Sequence, residues 1–391
     1  MPFVGLSTMD QKVRLISDHL AGCFSIVELA QKYGISRPTV YKWIGRYDRE
    51  GAEGLKERSR APRNCSHRIS EEVVAAIVAL RERKGWGAKK LLKILSSRYA
   101  EDQLPARSTC CEILKRHGLV QKRRRRRQVE HPGNQAEAAT APNQIWSADF
   151  KGQFKTRDGR YCYPLTVADN YSRYLLGCEA LRSTRINEAK PVFLRLFRKF
   201  GLPECILTDN GPPFAAYSLG RLSQLSAWWI QLGIRPRLIE PGKPQQNGRH
   251  ERFHRTLKDR TARPPAGSRG AQQRRFNQFQ VEYNEERPHE ALGLETPASC
   301  YRPSRREMPK RLPPLTYPEH WESRKVAHNR SMKWHGQRVH VSSPCAGLHI
   351  GLEEVHNSIW HVYLGPVRLG TFFEDQLQIV DPLNSLELTQ V

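Results

Sequence analysis

No stretch of this chain approaches the roughly 18 to 20 consecutive apolar residues that a membrane-spanning helix needs. The N-terminus also lacks a basic region followed by a hydrophobic secretory segment, so a soluble, intracellular protein with no membrane partner is expected. None of the nine cysteines falls in a C-x-x-C pair, and Cys110 and Cys111 are adjacent. That pattern supports neither a structural zinc site nor a disulfide framework, and reduced thiols in a cytosol are the plain expectation. Acid is scarce as well: 39 Asp and Glu stand against 64 Lys and Arg, a net charge of +25. Such an excess repels itself unless a polyanion screens it, which makes nucleic acid the first candidate partner. With 391 residues and 38% hydrophobic content, the chain can fill the cores of roughly two to four domains.

The positive charge is uneven. Residues 1–127 hold 28 Lys and Arg against 13 Asp and Glu, so this third carries +15 of the +25 and is the expected duplex-binding surface. Met9, Val13, Ile16 and Leu20 recur at helical spacing. Two further helices are predicted within Ser25 to Trp43: Ser25 and Glu28 have capping-box spacing, Gly34 permits a left-handed turn, and Ser36 caps a helix with Pro38 in its first turn. This resembles a helix-turn-helix. Its second helix would lie in the major groove, with Arg37, Thr39, Tyr41, Lys42 and Arg46 toward DNA and Val40, Trp43 and Ile44 packed inward. A small helical bundle with a basic, solvated face is the alternative.

Residues 50–68, rich in Gly, Arg, Ser and Pro, read as a linker. A second helical unit follows, with Ser70 capping a helix from Glu71 to Lys84, a turn at Gly85-Trp86-Gly87, a helix from Ala88 to about Tyr99 and another from Ser108 to His117. It would be a second DNA reader, or else a spacer or dimerisation element. Arg123, Arg124, Arg125, Arg126 and Arg127 form an unbroken run in a basic tether suited to phosphate contact. The expected domains are a helix-turn-helix at 1–60, a second helical domain at 61–122, a basic linker at 123–143, an α/β core at 144–305 and a small β-barrel at 320–385.

From Ile145 the pattern becomes mixed. Strands are predicted near 145–152, 161–168, 173–181, 205–208 and 235–239, and helices near 187–200, 215–232, 246–260 and 270–287. Three opening strands with short connections, then strands alternating with helices, imply a mixed sheet covered by helices. Short β-like runs between 324 and 381 imply the barrel, with Arg324, Lys325, Lys333, Arg338 and Arg368 near Trp334, Trp360 and Tyr363.

Three acids stand in distinctive surroundings: Asp149 in Trp146-Ser-Ala-Asp-Phe150, Asp209 in Leu207-Thr-Asp-Asn-Gly211, and Glu251 in Asn247-Gly-Arg-His-Glu-Arg252. The first two sit at or just past predicted strand ends, and the third opens a helix. Brought together, three hard oxygen ligands suit Mg²⁺ or Mn²⁺ better than Zn²⁺. Two such ions can activate an attacking oxygen and stabilise the leaving oxygen of a phosphodiester displacement. Taken singly, each acid could equally be a helix cap or a salt-bridge partner.

Together with Leu207-Thr-Asp-Asn-Gly-Pro-Pro-Phe214, Gly242 to Lys258 and Tyr283-Asn-Glu-Glu-Arg-Pro-His-Glu-Ala-Leu292, these motifs resemble the core of DDE transposases and retroviral integrases, a ribonuclease-H-like fold. The last segment is typical of insertion-sequence transposases. The resemblance covers roughly residues 140 to 305. It implies that Asp149 and Asp209 hold metal, that Glu251 completes a two-ion site for Mg²⁺ or Mn²⁺, and that Arg255 and Lys258 contact DNA near the scissile phosphate. The C-terminal barrel resembles the SH3-like domain of integrases. One departure is visible: 41 residues separate Asp209 from Glu251, more than is usual in the family, with the extra length expected between Ala215 and Ser226.

The resemblance implies a bacterial, cytoplasmic, nucleoid-associated transposase. It would bind the terminal inverted repeats of its element and target DNA as a homodimer or higher oligomer, and an accessory ATPase is compatible with such an assembly. A DNA-binding regulator with a non-catalytic core is the alternative. His250-Glu251-Arg252-Phe253-His254 also matches the H-E-x-x-H signature of zinc metalloproteases, in which two imidazoles hold Zn²⁺ and the glutamate is a base. The basic flanks and the Pro-Gly-rich entry argue against that reading.

Overall fold

The structure, a computed structural model, describes residues 7–58, 69–120, 139–240 and 248–381. The chain divides into two compact units, Met1–Ile69 and Ser70–Val391. No described helix is long and apolar enough to cross a membrane.

The first unit contains α1 (Thr8–Leu20), α2 (Ile26–Lys32) and α3 (Arg37–Glu50) around Leu15, Ile16, Leu29, Val40, Trp43 and Ile44. The capping box at α2 is made: Ser25 Oγ accepts from the Glu28 amide at 3.4 Å, and Glu28 Oε2 accepts from the Ser25 amide at 2.7 Å. Gly34 takes the left-handed turn at φ +62°. Ser36 departs from expectation, since its hydroxyl meets Thr39 Oγ1 at 2.9 Å instead of capping the backbone. The segment read as linker begins with a 3₁₀ turn, Gly51–Leu55, whose Leu55 joins the core.

In the second unit, α4 (Glu71–Lys84), α5 (Ala88–Leu95) and α6 (Arg107–Arg116) form a three-helix array. Helix α5 stops short of Tyr99 because Ser96 and Ser97 donate their hydroxyls to the carbonyls of Lys93 and Ile94, offering the backbone a local alternative to the helix. Ion pairs join this array to the region after residue 280. Lys84 meets Glu286 at 2.6 Å and Glu282 at 3.5 Å, Lys89 meets Glu290 at 3.2 Å, and Lys93 meets Glu295 at 2.8 Å.

The core sheet consists of β1 (Ile145–Phe150), β2 (Phe154–Lys155), β3 (Tyr161–Asp169), β4 (Leu175–Leu181), β5 (Cys205–Thr208) and β6 (Arg235–Leu238). Strand β3 is antiparallel to β4 and β1, β5 is parallel to β1, β6 is parallel to β5, and β2 pairs with the start of β3. This is the expected mixed sheet. Alternation splits it into two faces. Trp146, Ala148, Leu165, Val167 and Ile206 face α7 (Ile186–Phe200) and α8 (Gln224–Gln231), while Cys162, Leu175 and Cys178 face α9 (Gly248–Leu257) and α10 (Arg269–Val281). Helices α9 and α10 both run into π-helical turns, Lys258–Ala262 and Glu282–Glu286.

The helix expected over 215–232 begins only at Gln224. Upstream, a bridge between Ala215 and Leu222 closes a knuckle, with Gly220 and Arg221 at positive φ, and Ser223 then caps α8 by accepting from the Ser226 amide.

The C-terminal barrel requires correction: no closed barrel exists among the described residues. Strands β7 (Glu322–Lys325), β8 (Ser331–Trp334), β9 (Gln337–His340), β10 (His349–His356), β11 (Ile359–Leu364), β12 (Val367–Phe373) and β13 (Gln378–Val380) instead form an open five-stranded antiparallel sheet, β13-β12-β11-β10-β7, and a separate β8-β9 hairpin. Closure needs a continuous staggered ladder. Here the edge strands are short, and the hairpin fills the space through Met332, Trp334 and Val339 without pairing to them. Leu222, Ala227 and Ile230 share this hydrophobic cluster, so it is continuous with α8.

Phe193 is fully buried, with its ring 5.0 Å from Trp229 and 5.9 Å from Phe197. Phe193→Ala should lower stability by about 3–5 kcal/mol, read as the shift in the denaturant midpoint of the core transition.

Candidate active site

Parallel pairing aligns Ser147 with Leu207 and Ala148 with Thr208. Asp149 and Asp209 are therefore the next residues in register at the carboxyl ends of adjacent strands, which lie roughly 4.8 Å apart. By alternation Asp149 belongs to the face that α9 covers, and Asp209 directly follows the last residue of β5. Asp149 is 14% exposed. Asp209 Oδ1 accepts from the Gly211 amide at 3.2 Å. The Gly211 carbonyl in turn accepts from the amides of Phe214 and Ala215 at 3.0 and 3.2 Å, and buried Phe214 packs 5.7 Å from Phe150. This small turn holds the Asp209 loop to the core. Burial raises the Asp209 carboxyl above its usual range, opposed by the Gly211 N–H.

Helix α9 presents His250, Phe253, His254 and Leu257 to the sheet and leaves Glu251 and Arg255 exposed, and Lys258, at the start of the π-helical turn that follows, is exposed too. Ser147 Oγ lies 2.9 Å from His250 Nδ1, and Thr166 Oγ1 lies 2.8 Å from His250 Nε2 and 2.8 Å from His254 Nε2. Thr166, opposite Asp149 in the ladder, also donates to the Asp149 carbonyl oxygen at 3.1 Å. His254 Nδ1 is 3.8 Å from Asp149 Oδ2. Burial pushes His250 down to about 4, and burial with the nearby His250 and Lys151 pushes His254 lower still. Both rings are neutral near pH 7. Both His250 nitrogens face strand hydroxyls, an arrangement distinct from two imidazoles turned toward a shared zinc.

Lys151 links the acids electrostatically. Burial and the like charge of Lys258 lower its ammonium pKa, while Asp149 and Glu251 oppose that shift. Asp149, Glu251, Lys151 and Lys258 thus share one neighbourhood, with Asp209 on the adjacent strand. The three acids do not close into a cluster, and among the described residues no three His, Cys, Asp or Glu side chains are grouped to hold a metal ion.

Of the residues expected to meet DNA, Arg37, Tyr41 and Lys42 are exposed on α3. Thr39 is half-buried against Ser36, and Arg46 lies over the Trp43 ring at 4.9 Å. The arginines 123–127, the 241–247 flank of the Glu251 motif and the Arg249 side chain lie outside the described residues.

Sequence reasoning missed Ser147, Lys151 and Thr166, and treated His250 and His254 only as a zinc signature. A signal existed: Ser147 and Thr166 are isolated hydroxyls in otherwise apolar strand runs, on the face toward two histidines one helical turn apart.

The integrase core domain family matches residues 139–244, and a second integrase core domain family matches 232–297. A homeodomain-like domain matches 39–114, and a helix-turn-helix domain matches 11–63. The chain is 28% identical over 238 residues to the insertion element IS407 uncharacterized 31.7 kDa protein of Burkholderia multivorans, covering 59% of this chain and 80% of the relative. It is 30% identical over 185 residues to the insertion element IS476 uncharacterized 39.2 kDa protein of Xanthomonas euvesicatoria, covering 45% of this chain and only half of that relative. Among solved structures, a chain of the simian T-cell lymphotropic virus intasome with PP2A regulatory subunit B56 gamma aligns over 75% of this chain and 97% of its own, at 18% identity and a TM-score of only 0.38. Helix-turn-helix segments before a mixed-sheet core, the integrase core domain matches and the similarity to insertion-element proteins support an insertion-element transposase with an integrase core.

Proposed function

We propose that the chain binds the terminal inverted repeats of its element, cleaves the 3′ ends and transfers them to target DNA. The observation that carries this is the parallel pairing of β1 and β5, whose last paired position, Ala148 with Thr208, immediately precedes Asp149 and Asp209, with the helix of Glu251 packed beside Asp149. The donor set fits hard divalent cations: three carboxylates supply only oxygen, and the nearby imidazoles are committed to Thr166 and Ser147. Asp149, Asp209 and Glu251 would hold two Mg²⁺ or Mn²⁺ ions. Bound there, the ions would supply nucleophile activation and charge neutralisation for in-line phosphodiester displacement.

The protein's own groups do the rest. Lys151, Arg255 and Lys258 surround the acid edge with positive charge, draw the phosphodiester to it and hold the backbone in place. In the first step water attacks the phosphorus at the element end, the P–O3′ bond breaks and a 3′-hydroxyl is freed. In the second, that hydroxyl attacks a target phosphorus, a new P–O bond forms and the target 3′-oxygen leaves. Arg37, Thr39, Tyr41, Lys42 and Arg46 would select the element end through α3, Arg123 to Arg127 would follow the backbone, and two copies would pair two ends.

With a labelled element-end duplex and Mg²⁺, Asp149→Asn, Asp209→Asn and Glu251→Gln should each reduce cleavage at least about 100-fold, since each removes several kcal/mol of charge stabilisation. Undiminished cleavage in all three would sink the assignment, and sequence-specific binding without cleavage by the wild type would favour a regulator. In the same duplex, Arg37→Ala with Lys42→Ala should weaken binding and flatten the log K against log salt slope by about 0.9 for each phosphate no longer neutralised. An unaltered affinity and slope would remove α3 from the interface.

A further inference from the structure

We infer that Thr166 is a positioning residue whose single hydroxyl, shared by His250 and His254, sets the Glu251 helix against the Asp149 strand. The inference rests on the proposed metal-holding role of Asp149 and Glu251, and it concerns how their separation is fixed.

Thr166 is fully buried on β3 and stands across the ladder from Asp149. A hydroxyl carries one proton and two lone pairs. Here it meets three partners: His250 Nε2 and His254 Nε2 at 2.8 Å each, and the Asp149 carbonyl oxygen at 3.1 Å. Its hydrogen-bonding capacity is therefore used in full. Ser147, two residues before Asp149, meets the remaining nitrogen of His250 at 2.9 Å, so β1 itself grips the same ring.

Directionality makes this arrangement informative. Phe253 and Leu257 hold α9 to the sheet by apolar contact, which tolerates small slides and rotations. Hydrogen bonds tolerate only a few tenths of an ångström and limited tilt. Two bonds from residues one turn apart, converging on one atom, limit both the axial shift and the rotation of α9. Glu251 lies between those residues in sequence, and Asp149 is tied to the same hydroxyl through its backbone. One side chain thus references two of the three acids to a common point.

This also gives the H-E-x-x-H pattern a use without zinc. The i, i+4 spacing that can place two imidazoles on a metal places them on a hydroxyl, and the intervening glutamate faces outward. A threonine suits the task because its β-branch restricts χ1 and holds the oxygen in one direction. Valine would keep the shape and remove all three bonds, whereas serine would keep the hydroxyl.

The test measures Mn²⁺ binding to the full-length protein without DNA, from the electron paramagnetic resonance signal of free Mn²⁺. Thr166→Val should weaken Mn²⁺ affinity about 10- to 100-fold, the range seen when groups orienting metal ligands are removed, with duplex affinity unchanged. Thr166→Ser should restore affinity to within about 3-fold of wild type, which a merely structural role of the methyl-bearing side chain would not predict. Should Thr166→Val fail to fold, His254→Phe, which removes one of the two converging bonds, should show an intermediate loss. Wild-type Mn²⁺ affinity in folded Thr166→Val, or in His254→Phe where Thr166→Val does not fold, overturns the inference. If Asp149→Asn binds Mn²⁺ like wild type, the metal-site reading itself fails, and the two failures are thereby told apart.

Discussion

The core is organised by the position of β1 between an antiparallel neighbour and a parallel one. Pairing with β3 sets Asp149 opposite Thr166, and pairing with β5 brings Asp209 into the same register. A slip of one residue in either ladder would turn Ser147 and Asp149 toward Phe193 and Trp229 and send Trp146 and Ala148 toward the histidines. The apolar packing of α7 and α8 on one face therefore enforces the polar arrangement on the other. Trp146 is held further by a hydrogen bond from its indole to Asn143 Oδ1, which Tyr301 also reaches.

The polar face is a small hydrogen-bonded island within an apolar layer. Two buried imidazoles would be costly if charged or unpartnered. They are held neutral by their surroundings, and strand hydroxyls satisfy their ring nitrogens at three of four positions. The island ends at Asp149, where burial gives way to a cationic rim formed by Lys151 and Lys258. Over one turn of α9 the environment passes from buried and neutral to exposed and charged.

Much of this was legible in the sequence where local chemistry decides the outcome. Caps at Ser25 and Ser70, the turn glycines at 34 and 85, and the run Cys205–Thr208 depend on near neighbours, and each appears where patterning put it. The placing of Asp149 and Asp209 at strand ends and of Glu251 on a helix was legible through their flanking residues. Failures occurred where distant parts decide. The knuckle at 215–222 has helix-compatible residues but is held by a bridge and by the cap at Ser223. The C-terminal strands alternate as barrel strands would, and only the pairing order, with β8 and β9 forming a separate hairpin, shows that the sheet stays open. The hydroxyl of Thr166 stands out in its apolar run, but its role depends on partners 84 and 88 residues away.

The seam between the second helical array and the glutamates after residue 280 has a consequence for how positive charge is distributed. Lys84, Lys89 and Lys93 are each engaged by a carboxylate from a stretch more than 190 residues distant. The pairs of Lys89 and Lys93, whose side chains are 40% exposed, contribute only about 0–1 kcal/mol each and fade as salt screens them, while Lys84 is largely buried. Every lysine so engaged is withheld from a phosphate, and the same ionic strength that loosens a duplex from the protein loosens this seam. In this part of the molecule, docking of helices on the core and capture of a polyanion draw on one pool of charge.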